Sequence, residues 1–308
     1  MTVSTETPDL LEPTSPTDDA ASSRFTDYYE LTKPRLNFLV LVTTFVGAYI
    51  AARYNGQTVF DGTIFAAMLF TAMTAASAGV LNQAIERDLD RRMRRTANRA
   101  IPSGRISRFE ATVFGVALGL CGIGGLVLFV NVLTAALGLA TIATYLFIYT
   151  PLKTRSPLNT LVGAITGALP PAMGVTAVTG SITPLAAALF ALLFVWQMPH
   201  FFGLALMYRD DYAAGGFRML PSELGGDRRT RTQALLFAAA LVPISLLPVL
   251  PSISHAGWIY GIAASVLGAV FVRAAIRCAQ HKPGADRKMF FASIIYLPLV
   301  LFVLVIDQ

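Results

Sequence analysis

GTIFAAMLFTAMTAASAGVLNQAIERDLDRRMRRTANR, residues 62–99, decides what kind of molecule this chain makes. Its first part, Gly62 to Gln83, carries no charge and is long enough to cross a hydrocarbon core of about 30 Å as a helix rising about 1.5 Å per residue. Its second part, Asn82 to Arg99, holds three carboxylates and six arginines. Carboxylates at a membrane surface hold hard cations through oxygen ligands. Arginines beside them clamp phosphorylated groups whose charge such a cation helps neutralise. Together the two parts point to diphosphate chemistry at a bilayer surface.

Composition extends this reading to the whole chain. Of 308 residues 55% are hydrophobic and 14% charged, and the mean hydropathy is +0.60, outside the range of soluble domains. The expected fold is an all-α polytopic membrane protein with nine transmembrane helices, near 36–52, 63–83, 110–130, 132–150, 159–178, 184–207, 233–251, 257–272 and 289–306. Asn131 is the short link between the third and fourth spans. Twenty-three of the 24 basic residues then fall on one side of the membrane, and Arg53 alone on the other. The positive-inside rule puts the amino terminus in the cytoplasm and the carboxyl terminus outside. The net charge of +6 is therefore a topology signal. A nucleic-acid partner is not expected, because the charges are spread over short loops without a binding module.

Residues 1–24 form an acidic, Ser-, Thr- and Pro-rich stretch expected to be a disordered tail, leaving 25–308 as the membrane domain. An acidic start without an apolar core fits neither a secretory signal nor a mitochondrial transit peptide. A bacterial plasma membrane is the simplest location. Cys121 and Cys278 show no metal-ligand spacing and read as packing residues.

On a helix continuing the second span, Asn82, Glu86 and Asp90 fall at i, i+4 and i+8 and form one polar stripe. Asp88 lies off it and is expected to pair with arginine. The competing reading is a solvated helix end whose acids pair with Arg87, Arg91 and Arg94. A second acidic cluster, Arg209-Asp210-Asp211-Tyr212, follows the sixth span on the same expected side. Two clusters four helices apart suggest two half-bundles facing across a shared cavity. Between them the fourth span ends in Tyr149 and Lys153, which share a helix face if Pro151 does not disturb it. Tyr149 can donate to a phosphate oxygen and Lys153 can supply a point charge; an interfacial Tyr with a topogenic Lys is the plainer reading. Pro170-Pro171 in the fifth span predicts a broken helix lining a cavity. His200, near the cytoplasmic end of the sixth span, suits a metal, a propionate, a proton or a structural hydrogen bond.

At these residues the chain resembles the UbiA superfamily of intramembrane prenyltransferases. Asn82, Glu86 and Asp90 match the superfamily's first acidic motif, Asp211 the last acid of its second, and Tyr149 with Lys153 its Tyr-x-x-x-Lys element. Further matches are specific to the branch that prenylates haem. They are Arg87-Asp88-Leu-Asp90 with Met93, Arg95-Thr96 and Arg99, then Tyr149-Thr-Pro-Leu-Lys153-Thr-Arg155, Gly167-Ala-Leu-Pro170-Pro171, Pro199-His200-Phe201 and Asp210-Asp211-Tyr212. Gln83, Glu86 and Met207 depart from the wider pattern, which has Asp in the first two places and an acid in the third.

The resemblance implies nine helices around a central cavity, open sideways to lipidic substrates and capped on the cytoplasmic side. It implies transfer of a farnesyl group from farnesyl diphosphate to a vinyl group of haem b, with hydration to haem O. Magnesium (Mg2+) is the implied ion, held by Glu86, Asp90 and Asp211 with Asn82 assisting. Arg94, Arg95, Arg99, Lys153 and Arg155 would carry the remaining diphosphate charge, with Arg87 and Asp210 also on the substrate. Tyr145, Tyr149 and Trp196 would face the allylic cation, and His200 would contact haem. The expected partners are these substrates, the lipid bilayer and, as a candidate, a downstream haem-modifying enzyme. The rivals are another prenyltransferase of the superfamily, acting on an aromatic acceptor, and a transporter or lipid-binding protein.

Overall fold

A segment that crosses lipid must satisfy its own backbone, and each span expected from the sequence is helical here. The computed structural model describes residues 23–59 and 61–308. Among these the chain is helical without strands, and nine helices are long and apolar enough to cross a membrane. The expected tail lies outside the described residues except for its last two. Ser23 caps the short helix α1 (Arg24–Leu31) by accepting from the Thr26 N–H, and Arg24 opens that helix.

The spans are α2 (Pro34–Tyr54), α3 (Gly62–Ile85), followed by the short α4 (Arg87–Asp90), and α5 (Arg108–Phe129). The fourth span joins α6 (Val132–Ala143), a π-helical stretch Thr144–Tyr149 and α7 (Thr150–Leu152). Then come α8 (Asn159–Thr179), α9 (Pro184–Met207), the short α10 (Arg209–Ala214), α11 (Gly226–Ser245), α12 (Trp258–Ala279) and α13 (Ala285–Ile306). Asn131 separates the third and fourth spans as expected: its side chain caps α6 at Thr134 N and donates to the Thr176 carbonyl at 2.9 Å. The seventh span begins earlier than expected, at Gly226, because the helix continues through Arg228, Arg229 and Arg231. Hydropathy marks the hydrocarbon, whereas the hydrogen-bond ladder runs on past it.

α8 and α9 are the most enclosed helices. α2 packs along α8, α3 along α5, and α9 against α8, α11 and α13. α2 and α8 approach at small residues, as membrane helices do when van der Waals contact drives association. A Cβ on Gly47 would sit 2.1 Å from the Pro171 carbonyl oxygen, and one on Gly174 would sit 2.0 Å from that of Thr44. The predicted break at Pro170-Pro171 is not observed. α8 runs through both prolines, which are buried against the closely apposed α2, so the lost N–H donors cost two ladder bonds without unwinding the helix.

Candidate active site

α3 ends at Ile85, and Glu86 (φ −85°, ψ 7°) marks a break before α4, so the expected single helix is two. The stripe survives because the i to i+4 bonds cross the break: Glu86 N–H donates to Asn82 O at 2.9 Å and Asp90 N–H to Glu86 O at 2.8 Å. Asn82, Glu86 and Asp90 are 2%, 5% and 2% exposed. Three polar groups so deeply buried are no solvated helix end. Asp88, Arg91, Arg92, Arg94 and Arg95, by contrast, are exposed.

The segment after Asp90 folds back as a cap. Thr96 donates to Asp90 O at 2.8 Å, Arg91 to Pro102 O at 2.7 Å, and Met93, Ile101 and Ile106 are buried. Met93 packs against Gly215, where the chain leaves α10, and this brings the second acidic cluster alongside. The Arg94 backbone N–H then donates to Asp211 Oδ1 at 2.9 Å, with the Arg95 side chain 4.0 Å from Oδ2. The two acidic loops thus meet. The fourth span joins them: Lys153 Nζ lies 2.8 Å and 3.0 Å from the two Glu86 carboxylate oxygens, and Lys153 O accepts from Arg218 N–H at 2.7 Å.

Pro151 does not spoil the Tyr149 and Lys153 geometry. Lys153 N–H still reaches Tyr149 O at 3.2 Å, and the ammonium sits 4.6 Å from the Tyr149 ring centroid. The Tyr145 and Tyr149 rings are 4.9 Å apart. Thr150 Oγ1 spends its one proton on Tyr145 O at 2.8 Å, so toward Asn82 it can only accept. Asn82 Nδ2 donates to it at 3.0 Å, which leaves the Asn82 Oδ1 as a free oxygen donor. Asp90 is held by Arg99 at 3.1 Å.

Three carboxylates and one amide oxygen are hard ligands of the kind Mg2+ takes, so the residues present suit that ion. Among the described residues, however, no three His, Cys, Asp or Glu are drawn together as a metal site. Each acid leans on a cation instead: Glu86 on Lys153, Asp90 on Arg99, Asp211 on Arg95. Burial works most strongly against the Lys153 charge, but the Glu86 carboxylate together with Tyr145 and Tyr212 outweighs it, and its pKa is raised.

The other predicted residues lie apart. Asp210 and Arg155 are exposed, and Arg94 contributes its backbone while its side chain is exposed. Arg87 is partly buried, with an Nε that has no hydrogen-bond partner among the described residues. His200 and Trp196 turn toward α13, where Trp196 Nε1 donates to Ser293 O at 2.8 Å and His200 Nδ1 lies 2.8 Å from Ser293 Oγ. Sequence reasoning placed Thr150 in the Tyr149-to-Arg155 match without a role and missed Phe217 and Lys33. Phe217 is buried with its ring 5.6 Å from the Lys153 ammonium. Lys33 is partly buried at the head of α2. Desolvation first, then the like charges of Lys153 and Arg99, push its ammonium down to about 8, while Glu86 and Asp90 pull the other way. Its only sequence signal was a basic residue directly before Pro34.

Comparison with known proteins bears on the family and the fold. The sequence model of the UbiA prenyltransferase family matches residues 40–295. The protoheme IX farnesyltransferase of Koribacter versatilis is 40% identical over 295 residues, 93% of this chain and 94% of that protein. That of Opitutus terrae is 44% identical over 296 residues, 95% of this chain and 98% of that protein. Among solved structures, one of digeranylgeranylglyceryl phosphate synthase superposes with a TM-score of 0.76 at 17% identity, covering 92% of this chain and 98% of the other. A UbiA homolog from Archaeoglobus fulgidus bound to GPP and Mg2+ gives 0.61 at 15% identity, covering 90% and 99%. At such identities the structures speak to the fold alone.

Proposed function

The chain belongs to the UbiA prenyltransferase family, and from that premise we propose that it transfers a farnesyl group from farnesyl diphosphate to a vinyl group of haem b. The relatives at about 40% identity over nearly the whole chain support this donor and acceptor. One observation carries the chemistry: the acidic loops after α3 and α9 meet through Asp211 and the Arg94 N–H, with Glu86, Asp90 and Asp211 each beside a cation. Such a site can exchange partners. Lys153, Arg95 and Arg99 turn to the diphosphate oxygens as they leave Asp211, Asp90 and Glu86. Those carboxylates, with Asn82 Oδ1, would then hold Mg2+, whose charge would make the diphosphate a better leaving group.

Heterolysis of the allylic C–O bond leaves both electrons on diphosphate. The Tyr145 and Tyr149 faces stabilise the positive carbon, and Lys153 and the arginines stabilise the departing charge. The haem vinyl group supplies the electron pair for the new C–C bond. Water captures the resulting cation and releases a proton, giving the hydroxyethyl-farnesyl side chain of haem O. Arg87, with its unpartnered Nε, is a further donor to the diphosphate. The carboxylates sit at the ends of spans, which favours surface chemistry over the midplane sites of a transporter.

His200 is the acceptor-side residue. Ser293 Oγ donates its one proton to Phe290 O at 2.5 Å, so it accepts from His200 Nδ1 and leaves Nε2 with a free lone pair. That tautomer suits an axial contact to haem iron. An unchanged haem spectrum in His200→Ala removes His200 from the acceptor site. In this reading the protein lies in a bacterial plasma membrane with its site toward the cytoplasm, the side given by the basic residues, and a haem-modifying enzyme follows it. The deciding experiment incubates purified protein with farnesyl diphosphate, haem b and Mg2+ and weighs the extracted haem. A gain of farnesyl plus water is expected, and unmodified haem overturns the assignment.

A further inference from the structure

Lys33 has a backbone that a lysine rarely adopts, with φ 52°; His281 is the only other non-glycine residue at positive φ among the described residues. Pro34 disfavours the right-handed helical region for the residue before it, and a left-handed lysine stores strain. The corner is held on both sides. Gln83 Nε2 donates to Leu31 O at 2.8 Å, Asn37 Nδ2 to Thr32 O at 2.8 Å, and the N–H groups of Leu36 and Asn37 both reach Lys33 O at 3.0 Å. Held in this way, the Lys33 side chain runs across Gly79 on α3, where a Cβ would lie 3.5 Å from Lys33 Cδ. Gly79 precedes Asn82, Glu86 and Asp90 along α3 and its continuation, so the lysine points down the polar stripe.

The ammonium arrives where Lys153, Arg99, Glu86 and Asp90 are the charges acting on it. Those four already form two ion pairs, Lys153 with Glu86 and Arg99 with Asp90. Lys33 is the surplus cation, near two like charges and with no carboxylate at ion-pair distance among the described residues. A strained backbone that brings an unneutralised cation to a site whose other charges are already paired is unfavourable until an anion binds. Resting on the prenyl-transfer reading, we infer that Lys33 is a further diphosphate-binding residue, presented from the α1–α2 corner opposite Lys153, and that Gln83 positions it.

Glycine at this position separates function from fold, because it relieves the left-handed strain while removing the ammonium. In full-length protein titrated with inorganic pyrophosphate and Mg2+, Lys33→Gly should bind at least about tenfold more weakly, the loss of one charge-assisted contact, with an unchanged or higher thermal midpoint. Lys33→Arg should recover most of the affinity. Gln83→Leu should weaken binding in the parent and have no further effect in the Lys33→Gly background, as coupled residues do. Pyrophosphate binding by Lys33→Gly within twofold of the parent overturns the inference. A tenfold loss in a protein that leaves haem b unmodified still supports Lys33 and overturns only the acceptor assignment.

Discussion

Two charge clusters sit at helix ends in this molecule, and they are built on opposite plans. Where α11, α12 and α13 meet, Arg231 donates to Asp227 at 2.9 Å, to Asp286 and to the Cys278 carbonyl at 3.1 Å, with His281 3.6 Å from Asp227. One guanidinium there is saturated by two carboxylates and a carbonyl, and it ties three helices together. At the end of α3 each acid has one cation, Asn82 keeps a free oxygen, and Lys33 adds a charge without a counter-ion. The first cluster is complete without a ligand. The second leaves an amide oxygen and an ammonium without partners among the described residues, so what distinguishes the two is unfilled bonding capacity, which a count of charges does not reveal.

The largest effect should come from Glu86→Gln or Asp90→Asn, each lowering kcat per folded molecule by about 10²–10³. Turnover near the parent value in either would make the α3 cluster a clamp like the other. Next, Arg231→Met should cost about 2 kcal/mol of stability, less than a fully buried pair because Asp227 and Asp286 are partly exposed. It should leave kcat per folded molecule within about twofold, read by thermal unfolding beside single-turnover assay. Lost turnover at full stability would erase the contrast. A smaller effect concerns pH. With a pKa of about 8 in the folded protein, Lys33 is charged below that value and neutral above it. The pyrophosphate affinity ratio of parent to Lys33→Gly should therefore fall several-fold, toward one, as pH rises through about 8 and beyond, with the ligand's own titration cancelling. A flat ratio would remove Lys33's charge from binding. The smallest effect belongs to Asp88→Ala, an exposed side chain off the stripe, which should change kcat/KM by less than about twofold.

Much of this contrast was legible before any coordinates. The spacing of Asn82, Glu86 and Asp90 put two acids and an amide on one face, and alternation of the spans put Asp211 and Lys153 at the same end. Both expectations hold in the observed contacts. The break at Glu86 was not legible, because a one-residue departure in ψ leaves the i to i+4 spacing intact. The unbroken α8 was not legible either, since a double proline unwinds a helix or not according to what packs beside it, here α2.

The sequence alone determined the class of molecule and the nine spans found among the described residues, and it set the expectations for the acidic stripe and, through 23 basic residues on one side, for orientation. These follow from transfer of apolar groups into lipid and from the helical repeat, which act residue by residue along the chain. Tertiary structure decided which cation each carboxylate holds, that the Arg94 backbone and not its side chain meets Asp211, that Ser293 sets the His200 tautomer, and that Lys33 crosses Gly79. Those outcomes turn on distances of a few ångströms between residues far apart in the chain, set by packing around corners that no local pattern encodes.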